Sequence, residues 1–539
     1  MMIKGKLLYK NNALTKYRTG ELKMADVKKQ EALSNELASK LWECANNLRG
    51  NMDAQEFKNY ILGLIFYRYL SNKVEKHFEK ELAEDKITYE EAFNDPEYIE
   101  AIKEDSLESL GYIIEPKYLF SNVIKMIELG KFSIDYLTEI INSITMSTEG
   151  QPSEEAFTSL FEDMDLNSSK LGKEVKQRTK IISSLLNTID DINFEFEEAH
   201  FDILGTAYMN LIGLFASSAG KKGGEFYTPA NMSKLVARLA TVGLKDSLSA
   251  FDCACGSGSL LLEVGKYCNV RNYYGQELNS STYNLARMNM LLHGIAYNNF
   301  KIVNCDTLLD DTHFEDKKFT IQVANPPYSF KWNPPANLIE DERFSIYGKL
   351  APKGQADLAF VQTMIHHMDS GGRIAVLLPH GTLFRGGAEE TIRRYIVKNL
   401  NYLDAVIGLP PNCFNGTSIP VCCLVLKKDR KENSDNICFI DSSRYFTAGK
   451  TMNFITDEDI DRIVNAYVER KDIDKFCHVV TMKEIIENDY NLNIPRYVDT
   501  SEKEDEVDIL EKKKYLSDLT VKENEAIKTI NSFLAELGM

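Results

Sequence analysis

Positive charge is in deficit. Lys and Arg number 63 against 80 Asp and Glu, a net charge of −17 over 539 residues. Non-specific grip on nucleic acid comes mainly from cations that neutralise phosphates. A chain with this balance that handles nucleic acid needs a basic partner or a local basic groove. The ten cysteines make no CxxC pair; Cys253 and Cys255 are spaced CxC, and Cys422 and Cys423 are adjacent. Neither spacing is a zinc framework, so no metal is expected, and reduced thiols in a cytoplasmic protein are the simplest reading. No apolar run approaches the ~20 residues that span a bilayer, so no membrane partner is expected. The basic first 23 residues lack the apolar core of a secretory signal. The glycine–lysine string of a nucleotide-binding P-loop is missing too, which argues against nucleotide-driven work.

What remains is a globular mixture, 44% hydrophobic and 27% charged, long enough for two or three domains. Residues 1–28 are expected to form a flexible extension. Residues 29–200 are poor in glycine and proline and keep helical spacing, as in Phe57, Tyr60, Ile61, Leu64, Ile65 and Tyr69. One long amphipathic helix over 52–78 and an all-helical N-terminal scaffold follow. From about 220 the pattern changes to short apolar strands alternating with helices. The strands are expected at 249–253, 273–277, 301–304, 320–324, 373–378, 403–409 and 421–426. Such alternation predicts a mostly parallel α/β sheet covered on both faces, with ligands at the carboxyl ends of its strands. Residues 501–539 form a charged stretch and then a helix with Leu516, Leu519, Ile527, Ile530, Leu534 and Leu537 on one face. That face docks either on its own protein or on a helical partner.

Five strings carry chemistry. In Asp252-Cys253-Ala254-Cys255-Gly256-Ser257-Gly258-Ser259, glycines after a strand let a ligand approach the backbone, and a helix N-terminus offers free N–H groups. Alone, it reads equally as a structural turn. Glu277 ends the next strand about 20 residues on, the place of a ribose acceptor, or of a plain surface carboxylate. Asp306, after the third strand, suits an adenine amino group or a turn cap. Asn325-Pro326-Pro327-Tyr328 follows the fourth strand. Its prolines stiffen the turn and remove amide donors, leaving carbonyl and amide oxygens for an exocyclic amine, with Tyr328 as a flat face. Upstream, Gly223-Gly224-Glu225-Phe226-Tyr227-Thr228-Pro229-Ala230 reads alone as a loop and helix cap, and beside the others as a cover for the cofactor's carboxylate end.

In this order the five strings resemble S-adenosylmethionine-dependent, adenine-N6 methyltransferases of the γ arrangement. More closely, the chain resembles the modification subunit of type I restriction-modification enzymes. Phe201–Gly205, Gln355–Phe360, Leu378–Gly381 and Asn491–Tyr497 extend the resemblance over most of the chain from about residue 35. Cys253 stands where the family commonly has proline.

The resemblance implies a Rossmann-like methyltransferase domain over 201–500, a helical N-terminal domain and a C-terminal helix for assembly. It implies S-adenosylmethionine held by Glu225, Phe226, Tyr227, Thr228, Pro229, Ala230, Asp252, Gly256, Ser257, Gly258, Ser259, Glu277 and Asp306. It implies catalysis by Asn325, Pro326, Pro327 and Tyr328. The target adenine would flip into the pocket and stack on Tyr328. Phe414 is the candidate for the other face, with a buried loop anchor as its alternative role. Partners implied are DNA, a specificity subunit, a second modification subunit and, for restriction, a nuclease–translocase subunit. A competing enzyme reading puts the methyl on glutamine amides or on guanine in ribosomal RNA; the helical domain and the order of the strings count against it. A non-catalytic scaffold on the same fold is the alternative of another class, and the intact Asn325–Tyr328 string counts against that.

Overall fold

The computed structural model describes Ser39, Trp42 and residues 54–191, 208–215, 228–414, 418–449, 452–501 and 509–538. The expected extension over 1–28 lies outside them, as do the strings 201–205 and 220–227. Two compact units are present, Met1–Val498 and Asp499–Met539.

The first unit begins with helices. The long one, α1 (Ala54–Glu81), answers the helix expected over 52–78, running three residues further at its end, and is buried on more than one face. Ile61, Leu64, Phe66, Tyr67, Leu70 and Val74 are all at most 1% exposed. A helix apolar all round belongs inside a bundle, not on its surface. Each such side chain contributes about 1.5–3 kcal/mol of burial. Around α1 stand α2 (Phe120–Glu128), α3 (Ile134–Met146) and α4 (Val175–Asp190). Of these, α2 and α4 pack directly on α1.

The rest of the unit is a nine-stranded sheet in the order β3-β2-β1-β4-β5-β7-β6-β8-β9. The strands are β1 (Asp246–Asp252), β2 (Asn269–Glu277), β3 (Phe300–Asn304), β4 (Phe319–Ala324), β5 (Met368–Pro379), β6 (Leu403–Gly408), β7 (Val421–Lys427), β8 (Asn436–Asp441) and β9 (Cys477–Thr481). Helices α5 (Ala230–Thr241), α6 (Ser259–Tyr267), α7 (Ser280–Leu292), α8 (Asp357–His366), α9 (Ala388–Arg394) and α10 (Asp457–Glu469) accompany it. β3-β2-β1-β4-β5 pair in parallel. β7 runs antiparallel between β5 and β6. β7 follows β6 across the twelve-residue link 409–420, whose described residues form no helix. β8 and β9, which periodicity did not mark, extend the sheet as a parallel and then an antiparallel strand.

The helical region is fastened to the sheet through α7. Tyr69 Oη donates to Leu291 O at 2.7 Å. Arg287, 1% exposed, donates to Glu155 O at 2.9 Å and Thr158 O at 2.8 Å. Asn284 Nδ2 donates to Asp163 at 2.8 Å. A buried guanidinium spent on backbone carbonyls fixes the angle between the two layers, because each carbonyl otherwise loses its partner. A further carbonyl, at the sheet's active end, is set by the same α7: that of Ser257 accepts from Asn289 Nδ2 at 2.8 Å.

The second unit, by itself, is the helix α11 (Ile509–Glu536). Leu516, Leu519, Ile527, Ile530 and Leu534 are exposed on it.

Candidate active site

The order of strands reverses between β1 and β4, which lie side by side at Phe251 and Gln322. Their carboxyl ends open the crevice where open α/β sheets take ligands. Asp252 ends β1, Glu277 ends β2, Asp306 lies two residues past β3, and Asn325 follows β4. Four of the five strings therefore meet along one edge of the sheet.

After Asp252 the chain turns sharply. Gly256 and Gly258 both take positive φ, 55° and 78°. A Cβ on Gly258 would also stand 3.1 Å from Met290 Cε. A side chain there would meet both backbone strain and the floor of α7. Gly258 caps α6, and its N–H donates to Cys255 O at 2.8 Å. Ser257 is 2% exposed, and its hydroxyl is buried without a hydrogen-bond partner. An orphaned hydroxyl in a glycine turn calls for a ligand group.

The carboxylates are held before any ligand arrives. Asp252 is 1% exposed and accepts from Ala254 N at 2.9 Å. Burial pushes its pKa up to about 8; the nearby Glu277 charge pushes the same way, and the Ala254 N–H opposes them. Glu277 accepts from Gly256 N at 3.0 Å through one oxygen and from Asn279 N at 2.8 Å through the other. Burial raises its pKa too, against these two N–H groups. Each carboxylate oxygen keeps a lone pair for a hydroxyl. Asp306 accepts from Leu308 N at 3.0 Å, the turn-capping contact anticipated as its alternative role, and this leaves its second oxygen for other partners.

Asn325 is half-buried. Its Nδ2 donates to Thr228 Oγ1 at 3.0 Å, and its Oδ1 accepts from Tyr328 Oη at 2.7 Å. Tyr328 is shielded enough that burial raises its pKa well above the ordinary phenol value. Phe414 is 8% exposed, and its ring stands edge-on to Tyr328, centroids 6.0 Å apart at 85°. The two rings touch here in a T and do not form parallel faces; a base between them requires Phe414 to turn or withdraw. Pro229 and Ala230 begin α5 directly after Thr228. Glu225, Phe226 and Tyr227 lie outside the described residues.

The turn after Tyr328 rests on a group that sequence reading had quoted only as part of a string. Ser329, at φ 52°, donates its N–H to Asp357 Oδ1 at 2.8 Å. Asp357 opens α8 and is 1% exposed. Arg385 approaches the other oxygen of Asp357 to 3.7 Å and also pairs with Glu389 Oε1 at 3.4 Å. Desolvation raises the pKa of Asp357, and Arg385 works against that rise. The signal was available: a carboxylate at the first position of an otherwise apolar helix has its charge satisfied somewhere. Thr228 is the other residue whose contact was missed, because 97 positions separate it from Asn325.

Comparison with known proteins matches the chain to a family. The family model described as N-6 DNA Methylase matches residues 199–506, and that described as HsdM N-terminal domain matches residues 37–189. The chain is 40% identical to the type I restriction enzyme MpnII methylase subunit of Mycoplasma pneumoniae, over 89% of this chain and 92% of that protein. It is 29% identical to the type I restriction enzyme MjaIX methylase subunit of Methanocaldococcus jannaschii, over 94% and 92%. The crystal structure of the type I restriction-modification system methyltransferase subunit from Streptococcus thermophilus is similar at a TM-score of 0.80 and 40% identity, over 86% of this chain and all of that one.

Proposed function

The chain belongs to the N-6 DNA methylase family as a type I restriction-enzyme methylase subunit, and from that premise we propose how its residues act. It methylates N6 of adenine in DNA. The specificity subunit reads the sequence, a second modification subunit completes the clasp, and the restriction subunit joins for cleavage. The net charge of −17 fits this division of labour, since a partner supplies much of the grip on phosphate. Among the described residues no helix is long and apolar enough to cross a membrane, and the working place of such a complex is the cytoplasm, with the host's DNA.

The methyl donor of this reading is S-adenosylmethionine, which when bound supplies an electrophilic methyl on its sulfonium. The residues present fit it. Glu277 offers carboxylate lone pairs to the ribose hydroxyls, Asp306 its second oxygen to the adenine amine, and the buried Ser257 hydroxyl and the Gly256–Gly258 turn a close backbone cradle. Asp252 sits beneath the same turn as a carboxyl that a cationic group would ionise.

The observation that carries the catalytic assignment is the fixed amide of Asn325 at the end of β4, bound on both sides by side chains. Asn325 Oδ1 and the Pro326 carbonyl accept the two N–H bonds of N6 and hold its lone pair toward the methyl. Tyr328 stacks on the flipped adenine. Catalysis is then positioning and electrostatics, with no covalent intermediate.

The test is methyl transfer by the complex reconstituted with its specificity subunit. Asn325→Ala is expected to lower the transfer rate by roughly 10²–10³, by analogy with loss of one positioned hydrogen-bonding group, with cofactor affinity kept. Glu277→Ala is expected to weaken cofactor binding and to spare most of the rate at saturation. Wild-type transfer by Asn325→Ala refutes the assignment.

A further inference from the structure

An amide is nearly the same shape in its two orientations, but its chemistry is opposite. With oxygen toward the adenine, Asn325 accepts a proton-bearing N–H. With nitrogen toward it, two N–H groups face each other and the acceptor is gone. The Asn325 amide must therefore be held in place with its oxygen toward the pocket. The prolines at 326 and 327 hold the backbone of the turn, not this side-chain torsion.

Two hydroxyls touch the amide. Tyr328 Oη lies three residues along the same turn and donates to Oδ1 at 2.7 Å. It belongs to the base-contacting side of the pocket. Thr228 comes from another part of the chain, is 8% exposed, and takes the Nδ2 hydrogen at 3.0 Å. It stands two residues before α5, whose residues Met232, Leu235, Val236 and Leu239 are fully buried against the sheet. Thr228 is thus the contact to Asn325 that comes from outside its own turn.

We propose that Thr228 is a positioning residue for methyl transfer: its hydroxyl, which accepts from Asn325 Nδ2, holds the amide in the place and plane from which its oxygen meets N6. This rests on the reading of Asn325 as the N6 acceptor. It gives Thr228 a task distinct from the cofactor contact that its place in the upstream string suggests. The upstream string and the Asn325 turn then share one hydrogen bond, 97 residues apart in sequence.

The experiment uses the complex with its specificity subunit, a DNA duplex carrying its methylation site, and saturating S-adenosylmethionine. Single-turnover transfer and cofactor affinity are measured for Thr228→Val, Thr228→Ser, Asn325→Ala and the double variant. Thr228→Val keeps the shape and removes the hydroxyl. Its transfer rate is expected to fall about 3- to 10-fold, the scale of one net hydrogen bond, with the cofactor dissociation constant within about twofold of wild type. Thr228→Ser is expected to restore the rate. In the Asn325→Ala background, Thr228→Val is expected to cost nothing more, because the group it acts through is gone.

A rise in the dissociation constant with an unchanged saturated rate overturns the proposal and leaves Thr228 a cofactor contact. A full additional loss in the Asn325→Ala background overturns it as well, since Thr228 would then act elsewhere. Should the valine variant fold poorly, Thr228→Ala removes the same hydroxyl with less bulk and is judged by the same outcomes. If Asn325→Ala transfers at the wild-type rate, the catalytic reading itself has failed. If Asn325→Ala is inactive and Thr228→Val is normal, only the positioning role has failed.

Discussion

Tyr328→Phe separates two duties that sequence alone had merged. A stacking role needs only the ring, so from sequence the phenylalanine variant is expected to be as active as wild type. The structure adds a duty for the hydroxyl, which donates to Asn325 Oδ1 at 2.7 Å in a shielded site. Losing one such bond costs about 0.5–1.5 kcal/mol net, which is about 2- to 13-fold in rate if the bond persists in the transition state. Tyr328→Ala also removes the ring. A base–aromatic stack is worth about 1–3 kcal/mol, a further ~5- to 160-fold, and the edge of Phe414 loses its partner 6.0 Å away. The assay is tritium transfer to DNA by the reconstituted complex in a single turnover at saturating cofactor, with KM for DNA measured alongside. The phenylalanine variant is expected to change kcat with KM for DNA little altered, and the alanine variant to change both. A wild-type rate for Tyr328→Phe refutes the hydroxyl's part in holding Asn325. Equal losses for the two variants refute the stacking contribution of the ring.

The raised pKa of Asp252 has a signed consequence. A free aspartate ionises at 3.8 and this one at about 8, so the folded state keeps a proton that the unfolded chain gives up. Stability is therefore lost as pH rises from about 4 to about 8, and the gain in Tm on Asp252→Asn is expected to be larger at pH 8 than at pH 5; equal gains in thermal melts at the two values contradict it. Binding a cationic cofactor near pH 7 is expected to release up to about one proton, read as a dependence of the calorimetric enthalpy on buffer ionisation, and Asp252→Asn is expected to abolish that dependence. For the C-terminal helix, deletion of residues 509–539 is expected to abolish co-purification with the specificity subunit while leaving cofactor affinity intact, because its exposed Leu516, Ile527 and Ile530 form the face proposed for assembly; stoichiometric co-purification of the truncated chain rules that out.

Much of the site was legible before any coordinates, because its signals are local. Glycines at 256 and 258 mark a turn that needs positive φ. An acidic residue closing β2 and the stiff Asn325–Tyr328 turn closing β4 are each set by the few residues around them, and strand–helix alternation predicts that strand ends meet. The first seven strands were found for the same reason: alternation and apolar runs are properties of short windows. Strand direction is not. β7 lies antiparallel between β5 and β6, and β8 and β9 join the edge, because pairing partners are chosen by packing over dozens of residues. The stripe on α1 marked a helix, yet nothing local told that its other faces would be buried as well.

The contacts that tune the chemistry belong to the tertiary structure alone. Thr228 and Asn325 are 97 residues apart, and Asp357 reaches back 28 residues to the Ser329 amide. Residue type told that Asn325 could accept a proton-bearing amine; only folding decided which hydroxyls grip its amide. The sequence likewise supplied a carboxyl at 252, and only its burial beneath the glycine turn moved its ionisation to about 8. Local patterning sets backbone conformation at a cost of a few neighbouring torsions, whereas hydrogen-bond partners and desolvation depend on which distant surfaces the core brings together.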